Sequence, residues 1–203
     1  MTDENVLIVQ ADSAETSLAS ARLGARRWRC TLGAGGIRED KVEGDAATPV
    51  GEFPLRRIYF RNDRVVLPKT QLPARPINEH DGWCDDPRAP TYNRLVHIPN
   101  EWSHEKMWRE DGLYDVVVVV GYNDDPPEGE WGSAIFLHIA REDYSPTQGC
   151  VAFARDDLLE LLPLLGRDTR LRVLSHPADE EARTTSAADD EMKQFEDFDE
   201  KDW

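Results

Sequence analysis

Five consecutive valines, Val116 to Val120, constrain this chain more than any other feature. Successive residues of a strand face opposite sides, so an unbroken β-branched run needs apolar cover on both faces. Such a strand is central and sits between packed layers. The sequence predicts it over Leu113–Tyr122. Much of residues 6–174 reads the same way. Strands are expected at Val6–Gln10, at Leu18–Leu23 and Arg26–Leu32 around a Gly24-Ala25 turn, at Phe53–Phe60 and Arg64–Leu67 around Asn62-Asp63, at Ser133–Ala140 and at Arg170–Leu174. Gly33–Gly36 reads as a turn and not a phosphate loop, because no Gly-Lys-Ser/Thr ending or helix follows. Two short helices are expected. Ser103–Arg109 has Ser103 as its cap. Arg155–Leu165 has Asp156 and Asp157 at its positive end, an apolar face of Leu158, Leu161, Leu162 and Leu165, and Pro163 to shorten its last turn. Pro68–Pro99 reads as a long irregular insertion, a kind of segment that often carries function. The expected fold class is mostly β, a β-sandwich or mixed sheet with short helices.

Composition changes at residue 175. From there to Trp203 the chain carries eleven acids against three bases, a net −8 that is half of its total charge of −16. Apolar residues there follow no period, so the stretch cannot bury enough surface to offset its ordering entropy. A disordered or loosely helical acidic tail is expected over 175–203, behind one domain over 1–174. Phe195, Phe198 and Trp203 could dock on a partner, though a solubilising tail is the simpler reading. An acidic surface repels nucleic-acid phosphates and anionic lipid, so neither nucleic acid nor membrane is an expected partner. Met1-Thr2-Asp3-Glu4-Asn5 is acidic where a secretory leader is basic, and Val6–Val9 falls short of the ~7–15 apolar residues a leader needs. The expected compartment is the cytoplasm, or the periplasm if a leader has been removed.

Cys30, Cys84 and Cys150 form no Cys-x-x-Cys pair and are odd in number, which argues against a disulfide framework or a zinc knuckle. His80, Cys84, His97 and His104 follow no common zinc spacing, so no metal and no cofactor are expected. Cys30 and Cys84 read as small buried hydrophobes. Cys150 differs by its setting. The apolar Ile135-Phe136-Leu137 carries His138 to a sheet edge, and a loop returns the chain to Thr147-Gln148-Gly149-Cys150-Val151. A thiol becomes a strong nucleophile when an adjacent imidazole takes its proton. The imidazole in turn needs an orienting group, and backbone N–H groups beside the nucleophile suit an oxyanion. Gly149 allows close backbone approach, and the helix at Arg155 is expected to turn its N-terminus to this loop and lower the thiol pKa. Taken alone, the pair also describes a core His and a core Cys. Tyr122 and Asn123 are candidates to line the cleft, and Trp83, Trp102, Trp108 and Trp131 to cover or shape it. Arg94 is a candidate carboxylate contact. Each has a plain packing or surface role as its alternative.

The pattern from His138 to Thr147-Gln148-Gly149-Cys150 resembles the His…(Ser/Thr)-x-Gly-Cys signature of the L,D-transpeptidase (YkuD-type) family. Upstream, Thr48-Pro49-Val50-Gly51-Glu52-Phe53 is similar to the Thr-Pro-x-Gly-x-Phe turn that opens that family's central sheet. Gly132–His138 is similar to its approach to the histidine. The likeness covers roughly residues 6–174, in order. It implies Cys150 as the acyl-accepting nucleophile and His138 as its base, oriented by a backbone carbonyl, here that of Ile139. It also implies that Gly149 and the Cys150 N–H form the oxyanion region, with Thr147 where Ser or Thr is usual. Two positions depart from the pattern. Gln148 replaces a second histidine, and it donates hydrogen bonds but does not titrate near neutral pH. Ala152 replaces a common arginine, and Arg155 is the candidate to take over its carboxylate contact.

The resemblance implies a peptidoglycan peptide (muropeptide) as substrate. The thiolate attacks the carbonyl of an L-centre in a diamino acid, D-alanine leaves, and water or an amine resolves the thioacyl-enzyme. A cytoplasmic member does not reach the mature wall, so the expected function is an L,D-carboxypeptidase in cell-wall recycling. The alternatives are an exported L,D-transpeptidase, an inactive wall-peptide binding module allowed by Gln148 and Ala152, and an interaction protein acting through its acidic tail. The sequence carries no signal of oligomeric state.

Overall fold

The computed structural model describes residues 5–13 and 16–175, so the tail expected beyond Ser175 lies outside the described residues. A meander of β1 (Val6–Ala11), β2 (Leu18–Leu23) and β3 (Arg26–Thr31) opens the chain. A small parallel pair follows, β4 (Ile37–Arg38) and β5 (Thr48–Pro49), then the ten-residue β6 (Gly51–Phe60). Next come β7 (Ala74–Pro76), β8 (Asp81–Cys84), β9 (Leu95–His97), β10 (His104–Lys106) and the valine strand β11 (Val116–Val120). The chain ends with β12 (Phe136–Ile139), β13 (Val151–Phe153), the helix α1 (Arg155–Leu161) and β14 (Arg170–Leu174).

Nine strands form one mixed sheet in the order β11-β12-β13-β3-β2-β1-β14-β6-β7, and β6 also pairs with β11. The length of β6 makes this possible. Its first half, Gly51–Pro54, pairs with β14, while Leu55–Phe60 pairs with β11 and Ile58–Phe60 also takes β7. The sheet thus closes into a barrel-like ring, which leaves fewer strand edges unpaired.

The valine run behaves as its composition demands. All five residues are buried. Val116, Val118 and Val120 enter the main core, fed by every strand of the ring and capped by Leu158, Leu161, Leu162 and Leu165. Val117 and Val119 enter a second core with Tyr59, Trp83, Met107, Tyr114, Phe136 and Cys150. Each fully buried valine contributes on the order of 1.5 kcal/mol relative to exposure. The three-stranded sheet β10-β8-β9 supplies much of that second layer.

Several local expectations yield to tertiary pairing. The stretch Pro68–Pro99 is not irregular throughout: it holds β7, β8 and β9, whose pairing satisfies backbone groups that a buried loop would leave unmet. The helix expected over Ser103–Arg109 is instead β10, with His104 opposite Cys84 and Lys106 opposite Gly82. A helix that short is marginal without packing, and the ladder to β8 outcompetes it. No strand forms over Arg64–Leu67. The Arg64 and Val65 N–H groups both bond to the Arg61 carbonyl in a turn, and Val66 is 96% exposed. β12 starts at Phe136 rather than Ser133, because Gly132 and Ala134 take positive φ (90° and 54°) and interrupt extended backbone. The last helix stops at Leu161 and continues as a 3-10 turn over Leu162–Leu164, where Pro163 lacks the N–H that an α-helix would use. Among the described residues no helix is long and apolar enough to cross a membrane.

Candidate active site

Strand alternation chooses the face on which chemistry can occur. Along β12, Leu137 and Ile139 face the main core, while Phe136 and His138 face the second core, where the imidazole meets the Tyr114 ring at 5.3 Å. β13 runs parallel to β12 with Val151 opposite Leu137, so Cys150 arrives beside Phe136 on the same side. Cys150 and His138 are 7% and 6% exposed, and both line a cleft of about 320 Å³ together with Glu105, Arg109, Tyr114, Arg141 and Gln148.

The imidazole is held in one tautomer. His138 Nδ1 lies 2.8 Å from the carbonyl oxygen of Ile139. A carbonyl only accepts, so Nδ1 carries the proton and Nε2 keeps its lone pair. Burial lowers the His138 pKa to about 4; the Ile139 bond opposes this, and Arg109 and Arg141 add to it. The Cys150 thiol donates to the Ala134 carbonyl at 3.2 Å. Burial and the charge of Glu105 push it up to about 12, against the Phe136 N–H and Lys41. The expectation that the following helix lowers this pKa therefore fails. The residues of β13 separate Cys150 from α1, a helix of only seven residues, and burial outweighs any helix-end field. Thiol and imidazole are thus both neutral at pH 7.

The depressed His138 pKa has a consequence for stability. In the unfolded chain a histidine titrates near 6.5, in the fold near 4. Above pH 6.5 neither state binds the proton; below it the unfolded state binds more, so stability falls as pH drops toward 4. His138 is expected to account for about 3 kcal/mol of this loss. Urea unfolding at pH 7.5 and 4.5 checks it: His138→Gln should lose less stability between the two pH values than the wild type.

The Cys150 loop is built from two distant segments. Thr147 Oγ1 donates to the Cys150 carbonyl (2.7 Å) and accepts the Gly149 N–H (3.1 Å). Gly149 N–H is therefore occupied, and what this residue supplies is backbone freedom: its φ is 120°, and a Cβ there would lie 2.7 Å from the Ala47 carbonyl oxygen. Ala34 N–H bonds to the Thr147 carbonyl, and Gly33 N–H to Thr48 Oγ1. A Cβ on Gly33 would sit 2.1 Å from the Ala46 oxygen. The buried Lys41 pairs with Asp45 at 2.7 Å, and that carboxylate also accepts the N–H groups of Val42 and Ala47. The Thr48-Pro49 segment is thus the floor on which Thr147–Cys150 rests.

Of the other residues singled out in the sequence, Gln148 lines the cleft, but Tyr122, Asn123 and Arg155 do not. The Tyr122 hydroxyl donates to the Trp131 carbonyl, and the Asn123 amide donates to the carbonyls of Glu128 and Gly132, closing the loop between β11 and β12. Arg155 pairs with Asp115 at 2.7 Å and donates to the Arg64 carbonyl, in a neighbouring hollow. Trp83 and Trp108 pack in the second core, Trp102 packs against a third small cluster, and Trp131 is 55% exposed. Arg94 lies in a separate pocket. No group of three or more metal-ligating side chains occurs among the described residues.

Two residues escaped the sequence reading. Arg141 lines the cleft beside His138, and its guanidinium makes no hydrogen bond or close ion pair among the described residues, although the charges of Asp111 and Asp143 act on it, so its fork is available to an anion. Asn93, 3% exposed, accepts from Trp83 Nε1 (2.9 Å) and from the Ala134 N–H (3.1 Å), and donates to the carbonyls of Tyr122 and Asn123. It thereby holds Ala134, whose carbonyl receives the thiol. The one signal was its type, since asparagine tolerates the positive φ of 54° found there. Asn93→Ala leaves buried donors and acceptors unmet and is expected to cost about 3 kcal/mol in denaturant unfolding.

No curated protein and no solved structure matches the chain. Residues 5–173 match the family profile described as L,D-transpeptidase catalytic domain, YkuD. That span contains the ring of strands, the Thr48–Phe53 turn and both His138 and Cys150, and on it the chain belongs to the L,D-transpeptidase catalytic-domain family, cysteine-dependent enzymes that act on peptidoglycan peptides.

Proposed function

We propose that this protein is a cysteine-dependent L,D-carboxypeptidase that removes terminal D-alanine from peptidoglycan tetrapeptides in the cytoplasm, in cell-wall recycling. The observation that carries the reading is the shared cleft of Cys150 and His138, with Nδ1 of the imidazole held by Ile139 and the unpaired Arg141 at its edge. The cleft of about 320 Å³ suits one peptide terminus. The peptide's terminal carboxylate meets Arg141, which takes the part that Arg155 was expected to play. Cys150 sulfur attacks the carbonyl of the L-centre while its proton passes to His138 Nε2. The oxyanion is received by the Cys150 N–H, with the Gln148 side chain as a second donor. His138 returns the proton to the leaving amine of D-alanine. Water, deprotonated by the same nitrogen, then hydrolyses the thioester and regenerates the thiol.

A second reading, transpeptidation, is favoured by one observation. A wider hollow of about 850 Å³ shares Leu113 and Arg141 with the cleft and has room for a second peptide whose amine replaces water. Mass spectrometry of a disaccharide-tetrapeptide incubated with the protein separates the two. Loss of D-alanine alone supports the carboxypeptidase, and a cross-linked or amino-acid-exchanged mass supports the transpeptidase. No change of mass, with Cys150 inert to a carbapenem, would leave an inactive binding module. If Arg141 holds the carboxylate, Arg141→Gln raises KM about tenfold or more with a smaller change in kcat, measured by D-alanine release.

A further inference from the structure

A pocket of about 430 Å³ on the other side of Trp83 and Asn93 takes no part in the chemistry above. Four arginines line it, Arg56, Arg57, Arg75 and Arg94, over a floor of Tyr59, Val119 and Val120. That is unusual in a chain of net charge −16. Two of the four reach it by a specific device. Val119 pairs with Arg57 but Val120 with Leu55, so Arg56 is the extra residue of a β-bulge in β6. In a regular strand Arg56 and Arg57 would point to opposite faces; the bulge brings both to one pocket. Gly121 leaves space for this, since a Cβ there would lie 2.6 Å from Arg56 Nε.

The charges are partly matched. Arg56 pairs with Asp124 at 2.7 Å, with Asp125 nearby, and Arg75 pairs with Asp81 at 2.5 Å and stacks over Tyr59. Arg57 and Arg94 are exposed and have no carboxylate partner among the described residues. One carboxylate would fill one guanidinium fork, whereas two open forks lining one pocket suit an anion of two or more charges. The chain's net charge of −16 repels extended polyanions, which favours a compact one.

The pocket also lies close to the cleft. His138 stands opposite Val117 on β11, and the pocket begins at Val119 and Val120, about 7–10 Å further along the strand. Asn93 belongs to its wall and holds Ala134 at the nucleophile. We propose that this pocket binds a phosphate or diphosphate group, and that the group is the diphosphate of a nucleotide-linked peptide whose peptide end occupies the cleft; this last clause rests on the function proposed above.

The test is calorimetric titration of the full chain with inorganic pyrophosphate. One saturable site is expected, weakened at least about tenfold in Arg57→Gln/Arg94→Gln at an unchanged melting temperature. Arg57→Lys/Arg94→Lys keeps the charges and is expected to bind between the two. No saturable binding to the wild type, or equal binding to the glutamine pair, would overturn the site. The source of the phosphate is read separately, as KM for a tetrapeptide carried on a sugar nucleotide diphosphate against the same tetrapeptide without it. A lower KM for the linked peptide, lost in the glutamine pair, is expected. Equal KM values with pyrophosphate still bound would overturn the linked substrate and assign the site to free phosphate. Pyrophosphate binding with neither peptide cleaved would sink the carboxypeptidase reading and leave this site standing.

Discussion

Cys150→Ala is expected to lower D-alanine release from a disaccharide-tetrapeptide by at least about 10³-fold, to background, while changing the melting temperature by a few degrees at most. The asymmetry follows from what the side chain does. Removing sulfur deletes the acyl acceptor of the proposed reaction but leaves the backbone that carries it, because Gly149 and Thr147 shape the loop through backbone geometry and the Thr147 hydroxyl. The side-chain interactions lost are the thiol's bond to the Ala134 carbonyl and that of the Phe136 N–H to the sulfur. Neither remaining cysteine can substitute. Cys30 is wholly buried in the main core, where burial pushes its thiol far above the usual range, and Cys84 is wholly buried in the third cluster. Mass spectrometry of the intact protein with substrate should show a thioacyl adduct in the wild type and none in the variant. Turnover surviving the substitution would remove Cys150 from the mechanism.

His138→Gln is expected to lower kcat/KM by roughly 10²–10⁴-fold at pH 7, and its pH profile separates a lost base from a distorted site. Glutamine can still donate to the Ile139 carbonyl, so the loss is of the titrating nitrogen rather than of the anchor. In the wild type His138 is already neutral above about pH 4, the value to which burial lowers it. Its kcat/KM should therefore be flat across neutral pH and fall only on the acid side. Without the base, reaction depends on spontaneous ionisation of a thiol pushed up to about 12. The variant's residual rate should then rise about tenfold per pH unit through the neutral range. A variant rate that is low and independent of pH would show that His138 positions the loop and does not take the proton.

How much of this was legible beforehand varies from residue to residue. The valine run announced a strand covered on both faces, but the sequence put His138 at a sheet edge, whereas it sits within the sheet, opposite Val117 on one side and Ala152 on the other. Thr147–Cys150 and Thr48–Phe53 were readable as motifs, yet nothing in their spacing says that they touch. Contact through the Gly33 amide to Thr48 Oγ1 and from Gly149 to Ala47 exists only once the ring closes. An arginine that lines the cleft illustrates the limit. Arg155 and Arg141 are equivalent in a string of letters, and the position of Asp115, paired with Arg155 at 2.7 Å, decides between them.

The sequence by itself determined the class of fold and the central strand and singled out Cys150 and His138, which line one cleft, because periodicity and short motifs are local and survive without coordinates. Tertiary structure alone decided the protonation states of that pair, the strand at His104–Lys106 in place of a helix, the anchoring role of Asn93 and the convergence of Arg56 and Arg57 on one pocket. These depend on desolvation, ladder partners and a register shift, which are set by residues far away along the chain and so leave no local pattern to read.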